Sequence, residues 1–466
     1  MARSEASLKA DPFFGVDSTW SWVTVAFLSW VLCLGMMGQH SVGVLFYGIV
    51  DTFGATRQQA SWPLVLSGSL LNLGGPVIGL LCRRFSCRSV LFVSTFVLAA
   101  STGVCWFANN ILFLTVVYGI IHGLAVSGTF VSVNILAPQH FEKLQTTACS
   151  IVFTASGLSL LCAPALAEFL RATYGVRGTF LLLGGVILNA FPAVIVLRSP
   201  AWMQRPAKCP TTKKLELSQK TAVIPNGHHL QTAGGASNGT SKEVGIDLGC
   251  TPEVATAKPT VILCPKNLQI SKIPSTQSTR LNKTSEPSLR AIVRQFATVA
   301  FAVDALTFSV MILVLVTFKL ISVDIAVDRG VTPSRAVFLS NAFGASDLVF
   351  RFASGMVIDS GLLTLETVML SGFFLQALAL ELFAWWGTFP VMLVSSALIG
   401  ISNGSRIFLR APTLLRDFGM QSLPVTMGGM AFCIGMLMPV LHIRDISVPT
   451  LTIEPLPQTK DDRAGV

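Results

Sequence analysis

The chain has 466 residues, of which 52% are hydrophobic and only 12% charged, with a mean hydropathy of +0.66. A water-soluble domain carries about 25% charged residues, so this composition excludes a soluble globular protein and points to helices in a lipid bilayer. The net charge of +10 lies largely in one polar stretch, where positive-inside topology accounts for it and no nucleic-acid partner is implied.

Residues 1–19 are polar and of mixed charge, without the pattern of a cleavable signal peptide. Apolar runs of spanning length then recur. The first covers about 20–46, and the second follows Pro63 and ends at Cys82. Ser89–Leu136 holds no Asp, Glu, Lys or Arg and breaks at Asn109-Asn110, so it reads as two spans. Leu144–Ala167 and Gly178–Leu197 complete an expected six-helix bundle over 20–197. Residues 198–295 are rich in Lys, Thr, Ser and Pro without a sustained period, and are expected to form a disordered linker. Runs resume at 296–318, 336–358, 362–384, 388–408 and 420–441, followed by a polar tail over 442–466. The expected fold is an all-α polytopic membrane protein of two helix bundles, with six and five apparent spans.

Arg83, Arg84 and Arg88 lie between spans two and three, and Lys143 between four and five; these segments alternate with poorly charged ones. The positive-inside rule therefore puts the N-terminus and the linker in the cytoplasm. Arg406 and Arg410, late in span ten, read as cytoplasmic anchors. Trp20, Trp22, Trp385 and Trp386 read as interfacial belts. The sequons at Asn238 and Asn282 fall in the cytoplasmic linker and that at Asn403 inside a span, so all three are expected to be unmodified. The ten cysteines show no CxxC or metal spacing, and no phosphate-binding loop or activated nucleophile is evident. No metal, no cofactor and no enzymatic activity are expected.

The most telling residues are Asp347 and Arg351, four apart inside the apolar run Ala336–Ile358. Each charge at mid-membrane costs about 2.5–3.5 kcal/mol, against about 0.3–0.6 gained per central Leu, Ile, Phe or Val. The run can insert, but the pair should face protein or water. Spacing i,i+4 sets both on one helix face, where acid and base offset each other and line a passage for an anion. His40, late in the first run, can take up a proton near neutral pH. Asp304 either lines the vestibule of span seven or reaches the interface. His122 reads as a helix-to-helix hydrogen bond in span four. Glu366 and Glu381 read as interface residues.

Gly79-Leu-Leu-Cys-Arg83-Arg84-Phe-Ser-Cys-Arg88 and Gly355-Met-Val-Ile-Asp359 stand at corresponding points of the two halves. Both resemble the Gly-x-x-x-Asp-Arg-x-Gly-Arg-Arg signature of the major facilitator superfamily; the first keeps Gly79, Arg84 and Arg88, the second Gly355 and Asp359. Small residues there would let helices approach closely while the charges latch a gate. Asp17-Ser-Thr-Trp20-Ser-Trp22, Leu73-Gly-Gly-Pro76 and Tyr174-Gly-Val-Arg177-Gly-Thr-Phe180 are similar to segments of the monocarboxylate transporter family, and Asp347-x-x-x-Arg351 resembles its eighth helix.

The resemblance implies that Arg351 binds a substrate carboxylate and Asp347 takes part in proton coupling. It implies a plasma-membrane carrier of small monocarboxylates, with or without protons. It also implies a single-span immunoglobulin-type glycoprotein as ancillary partner, which some relatives need. His40 stands where proton-coupled lactate carriers have a Lys. Lys143 keeps one basic position of the fifth-helix signature, but Leu144 replaces the next. A facilitative carrier of aromatic or amino-acid-like substrates is the alternative. Twelve spans are implied and eleven are read, so a truncated, non-transporting isoform that partners a carrier is also expected as a possibility.

Overall fold

The computed structural model describes residue 9 and residues 11–198 and 294–447. The expected linker, apart from its ends, and the expected tail from residue 448 onward lie outside these residues, as do the sequons at Asn238 and Asn282. The described helices belong to one compact unit.

The first apolar run forms α1 (Thr19–Gly35), α2 (Met37–His40) and α3 (Val42–Phe53), interrupted at Met36 and Ser41. A capping box at Thr56 and Gln59 starts α4 (Arg57–Leu73), which bends by 47° into α5 (Gly75–Arg84). Ser86 caps α6 (Cys87–Val104), accepting from the Ser89 backbone N–H. Asn110, at the predicted break, caps α7 (Ile111–Leu114) by accepting from the Phe113 N–H at 2.8 Å. A π-helical stretch, Thr115–His122, leads into α8 (Gly123–Gln139). The fifth and sixth runs form α9 (Gln145–Leu188), with α10 (Ala190–Val196) beyond it. Gly175 breaks α9 at φ 68°, a left-handed conformation that a side chain disfavours.

After the linker come α11 (Val299–Asp328), α12 (Pro333–Asp359), α13 (Leu365–Trp385), α14 (Phe389–Arg406), α15 (Arg410–Phe418) and α16 (Leu423–Ser447). The apolar stretch of α11 ends at Lys319, in line with the run 296–318, whereas the helix itself continues to Asp328. The first six residues of the expected tail likewise continue α16.

Among the described residues six helices are long and apolar enough to cross a membrane, or seven with α4 and α5 taken as one bent span. The remaining runs are broken, as in α1–α3, or carry charge, as in α12. The outward faces confirm apolar surroundings. On α13, Leu370 and Phe374 are 75% and 73% exposed, while Gly372 and Gln376 on the opposite face are buried. An exposed apolar stripe of that kind is stable in lipid and not in water.

The helices before the linker meet those after it chiefly through α9 against α12 and α16 against α4 and α5. Both seams close at the end bearing Arg83, Arg84 and Arg416, called here the basic end. At α5–α16, a Cβ on Gly75 would lie 2.7 Å from the Gly428 carbonyl oxygen, and one on Gly79 would strike the Pro424 carbonyl oxygen. At α9–α12, a Cβ on Gly355 would strike Ser150, and Asp359 Oδ2 accepts the Thr147 backbone N–H at 2.6 Å. Gly79, Gly355 and Asp359 thus sit across the seams, as the repeated signature suggests. Arg84 and Arg88 do not. Arg84 is exposed, and Arg88 donates to the Ile195 carbonyl at 2.9 Å within its own half.

Gly79→Val should force these backbones apart and cost about 1–3 kcal/mol by overpacking. Gly185→Val, with open space around its Cβ position, should cost far less. Thermal melts of the two purified variants check this; equal melting temperatures would disprove the close seam.

Candidate functional site

Helix α12 carries the ionisable pair on the face it turns to α9 and α14. Asp347 is 1% exposed and Arg351 8%. Arg351 Nη2 meets Asp347 Oδ2 at 2.6 Å, as the i,i+4 spacing predicts. The other carboxylate oxygen, Oδ1, accepts from Asn403 Nδ2 of α14 at 2.6 Å. Arg351 Nη1 donates to the Phe153 carbonyl of α9 at 3.2 Å, reaching across to the first set of helices. Its Nε is buried without a partner among the described residues. Gly157 on α9 packs closely against α12: a Cβ there would lie 3.0 Å from Leu348 Cδ1 and in ordinary contact with Arg351. A buried ion pair is tolerated only when its remaining lone pairs and protons are also satisfied, and Asn403 and the Phe153 carbonyl do most of that.

His40, at the end of α2, lies opposite. Its Nδ1 is 3.1 Å from Ser159 Oγ on α9, and both Arg351 and Lys319 are within its electrostatic reach. Three of the expected groups therefore gather in one place: Asp347, Arg351 and His40. Lys143 does not join them. It is exposed in the turn before α9, and its backbone N–H donates to Asp17 Oδ2 at 3.2 Å. Asp304 is also elsewhere, beside Asp417 and Arg416 at the basic end. His122 has the structural role expected of it: its Nδ1 is 3.1 Å from Ser67 Oγ and its ring stacks on Tyr118.

Two site residues escape the sequence reading. Asn403 is seen there only as an inert sequon, yet it holds Asp347. Lys319 is passed over as the end of a span, yet it stands inside α11 with Nζ 5.0 Å from the Phe343 ring. Phe343 is one turn from Asp347 on the same face of α12.

Arg406 and Arg410 are not anchors at an interface. Arg406 is fully buried; Nη2 donates to Gln376 Oε1 at 2.5 Å and to Ser402 Oγ at 2.6 Å, and the guanidinium lies 4.2 Å from the Phe373 ring centre. Gly372 leaves the space, since a Cβ there would come within 2.5 Å of the Arg406 side chain. Arg410 is 3% exposed and lies between the Phe130 and Phe308 rings at 5.7 and 6.0 Å. Aromatic faces and neutral oxygens replace carboxylates here. Trp22 packs inward against Phe141, Trp20 packs against the exposed Phe14, and Trp385 and Trp386 are exposed as expected. A recess of about 560 Å³ lined by Phe53, Gln59, Trp62 and Asn109 lies apart from the ion pair and holds no charged side chain.

Gln376→Leu removes an acceptor from the buried Arg406. It should lower stability by about 1–3 kcal/mol. Thermal melting of the purified variant tests this, and an unchanged melting temperature would show that the hydrogen bond is dispensable.

The major facilitator superfamily model matches residues 25–441. Monocarboxylate transporter 9 of Gallus gallus is 30% identical over 184 residues, 39% of this chain and 36% of that protein. Monocarboxylate transporter 6 of Mus musculus is 26% identical over 192 residues, 41% of each. Monocarboxylate transporter 14 of Homo sapiens is 26% identical over 187 residues, 40% of this chain and 36% of that protein. The matched stretches thus span only about two-fifths of these relatives. Among solved structures, the proton:xylose symporter XylE bound to 6-bromo-6-deoxy-D-glucose aligns with a TM-score of 0.63 at 10% identity, covering 92% of this chain and 89% of that one. The E. coli fucose:proton symporter FucP aligns at 0.59 and 11% identity, covering 91% and 92%. Those two show the fold alone. With a family match across both sets of helices and monocarboxylate transporters among its relatives, this multi-pass membrane chain belongs to the major facilitator superfamily, whose fold is that of transporters and not of enzymes.

Proposed function

We propose that the chain carries a small organic anion, a monocarboxylate, across the plasma membrane by alternating access. The observation that carries this reading is the buried Asp347–Arg351 pair, bound to α14 by Asn403 and to α9 by the Phe153 carbonyl. A guanidinium presents its donors in a planar fork that matches a carboxylate, so an incoming acid can compete with Asp347 for Arg351. The exchange loosens the bond to α9 and lets the two sets of helices rock about the site.

The seams closed by Gly75, Gly79, Gly355 and Asp359 are gate elements in this scheme. Positive-inside topology assigns the basic end, the N-terminus and the linker to the cytoplasm. The site is then closed toward the cytoplasm. His40, facing Arg351 from the other set of helices, carries or tunes a proton. A single-span immunoglobulin-type glycoprotein is the partner proposed on the likeness to monocarboxylate transporters.

The test is uptake of labelled lactate, pyruvate and aromatic amino acids by cells expressing the full chain, at two pH values. Arg351→Lys keeps the charge and loses the planar fork, and should reduce carboxylate uptake about tenfold or more, equivalent to about 1.4 kcal/mol of lost binding. Normal uptake by that variant at equal surface abundance would sink the role of Arg351. Asp347→Asn leaves Arg351 without its counter-charge and should cost about 3–5 kcal/mol of stability as well as activity. His40→Gln, which removes the proton-carrying imidazole of this scheme, should flatten the pH dependence of uptake. An unaltered pH profile would remove His40 from the proton path.

A further inference from the structure

The charge count at the site is unbalanced. Arg351 and Asp347 cancel each other at 2.6 Å. Lys319 stands beside them on α11 and feels both, as well as His40. It has no hydrogen bond or ion pair among the described residues; its only close contact of note is the Phe343 ring. It is exposed, although the ionisable groups around it come from α12 and from the end of α2. Ionisable groups of two other helices thus lie near a residue that keeps open surface. It stands where the apolar stretch of α11, Val299–Lys319, ends, with the helix continuing to Asp328.

An ammonium beside a buried ion pair, with no carboxylate of its own, is left to be neutralised by a partner that comes and goes. An aromatic ring beneath it offsets part of the cost. The sum over Arg351, Asp347 and Lys319 is one positive unit, which a singly charged anion neutralises. A dicarboxylate would overshoot and a neutral solute would leave the charge bare.

We propose that Lys319 is a second anion-binding residue of this site, supplying the uncompensated positive charge that an organic monocarboxylate neutralises between Lys319 Nζ and the Arg351 guanidinium. This rests on the transport reading above and refines it, because selection by charge falls to Lys319 and orientation to Arg351.

Two measurements on the full chain test it. In the first, cells expressing wild type, Lys319→Gln or Lys319→Arg take up labelled pyruvate, with surface abundance measured in parallel. Lys319→Gln should lose about tenfold or more, while Lys319→Arg, which keeps the charge, should retain most of the activity. In the second, His40→Cys is introduced with and without Lys319→Gln in the purified chain in lipid nanodiscs. Its modification by an anionic sulfonatoethyl and a cationic trimethylammonioethyl methanethiosulfonate is read by peptide mass spectrometry. The anionic-to-cationic rate ratio should fall about tenfold when Lys319 is neutralised.

Equal pyruvate uptake by Lys319→Gln, or an unchanged rate ratio in folded protein, overturns the proposal. If the wild type takes up no acid at all, the transport reading falls. The rate ratio then still decides whether Lys319 draws anions to the site, since the sulfonate is itself an anionic probe.

Discussion

Asp347 and Arg351 can lie inside a membrane-spanning bundle only because each answers the other. In a low-dielectric interior an isolated carboxylate or guanidinium would cost several kcal/mol, and partnership at 2.6 Å removes much of that penalty. The remaining bonding capacity then dictates the neighbourhood. Asn403 must approach from α14 to take the second carboxylate oxygen, and the Phe153 carbonyl must be within reach on α9. Small residues follow from that approach. Gly404 packs against the Asp347 backbone, where a Cβ would lie 3.0 Å from the Asp347 Cα, and Gly157 lets α9 approach Leu348 of α12. One ion pair thus fixes how three helices meet, and its pull across the two sets of helices couples the site to their relative position.

The seams at the basic end use a different principle. Gly75 and Gly79 on α5, and Gly355 on α12, bring backbone against backbone or against a serine hydroxyl. Dispersion over such close contacts holds helices together where lipid tails weaken the hydrophobic drive. Asp359 adds a directional bond to the Thr147 amide. Contacts of this kind are strong when closed and leave few polar groups stranded when parted, a property suited to surfaces that separate repeatedly.

Much of this organisation could be read from residue order. Charges inside an apolar run stand out, and the i,i+4 spacing alone put Asp347 and Arg351 on one face. The paired Gly-x-x-x patterns marked the places where helices cross. Asn109-Asn110 marked a turn, and Asn110 serves as its cap. What could not be read depended on other helices. Asn403 looks inert until α14 lies against α12. Arg406 and Arg410 end an apolar run as interfacial anchors do, and only the hollow over Gly372, the Gln376 carbonyl and the surrounding rings make burial tolerable. Lys319 was lost because hydropathy takes the first charge as the edge of a span, whereas the helix and its neighbours continue past it. Lys143 and Arg88 illustrate the converse: their spacing resembled a motif, but each lies at a turn or binds within its own half.

The Arg406 hollow has a consequence for how the protein is made. Its acceptors are Gln376 on α13 and Ser402 on α14 itself, and its aromatic cover is Phe373 on α13. A nascent α14 released alone into lipid would keep only the Ser402 acceptors for its guanidinium, whereas α13 and α14 leaving the translocon together as a hairpin would add Gln376 and the Phe373 ring. Substitutions at Phe373 or Gln376 in α13 would then act by stranding α14 during synthesis, before any question of transport arises.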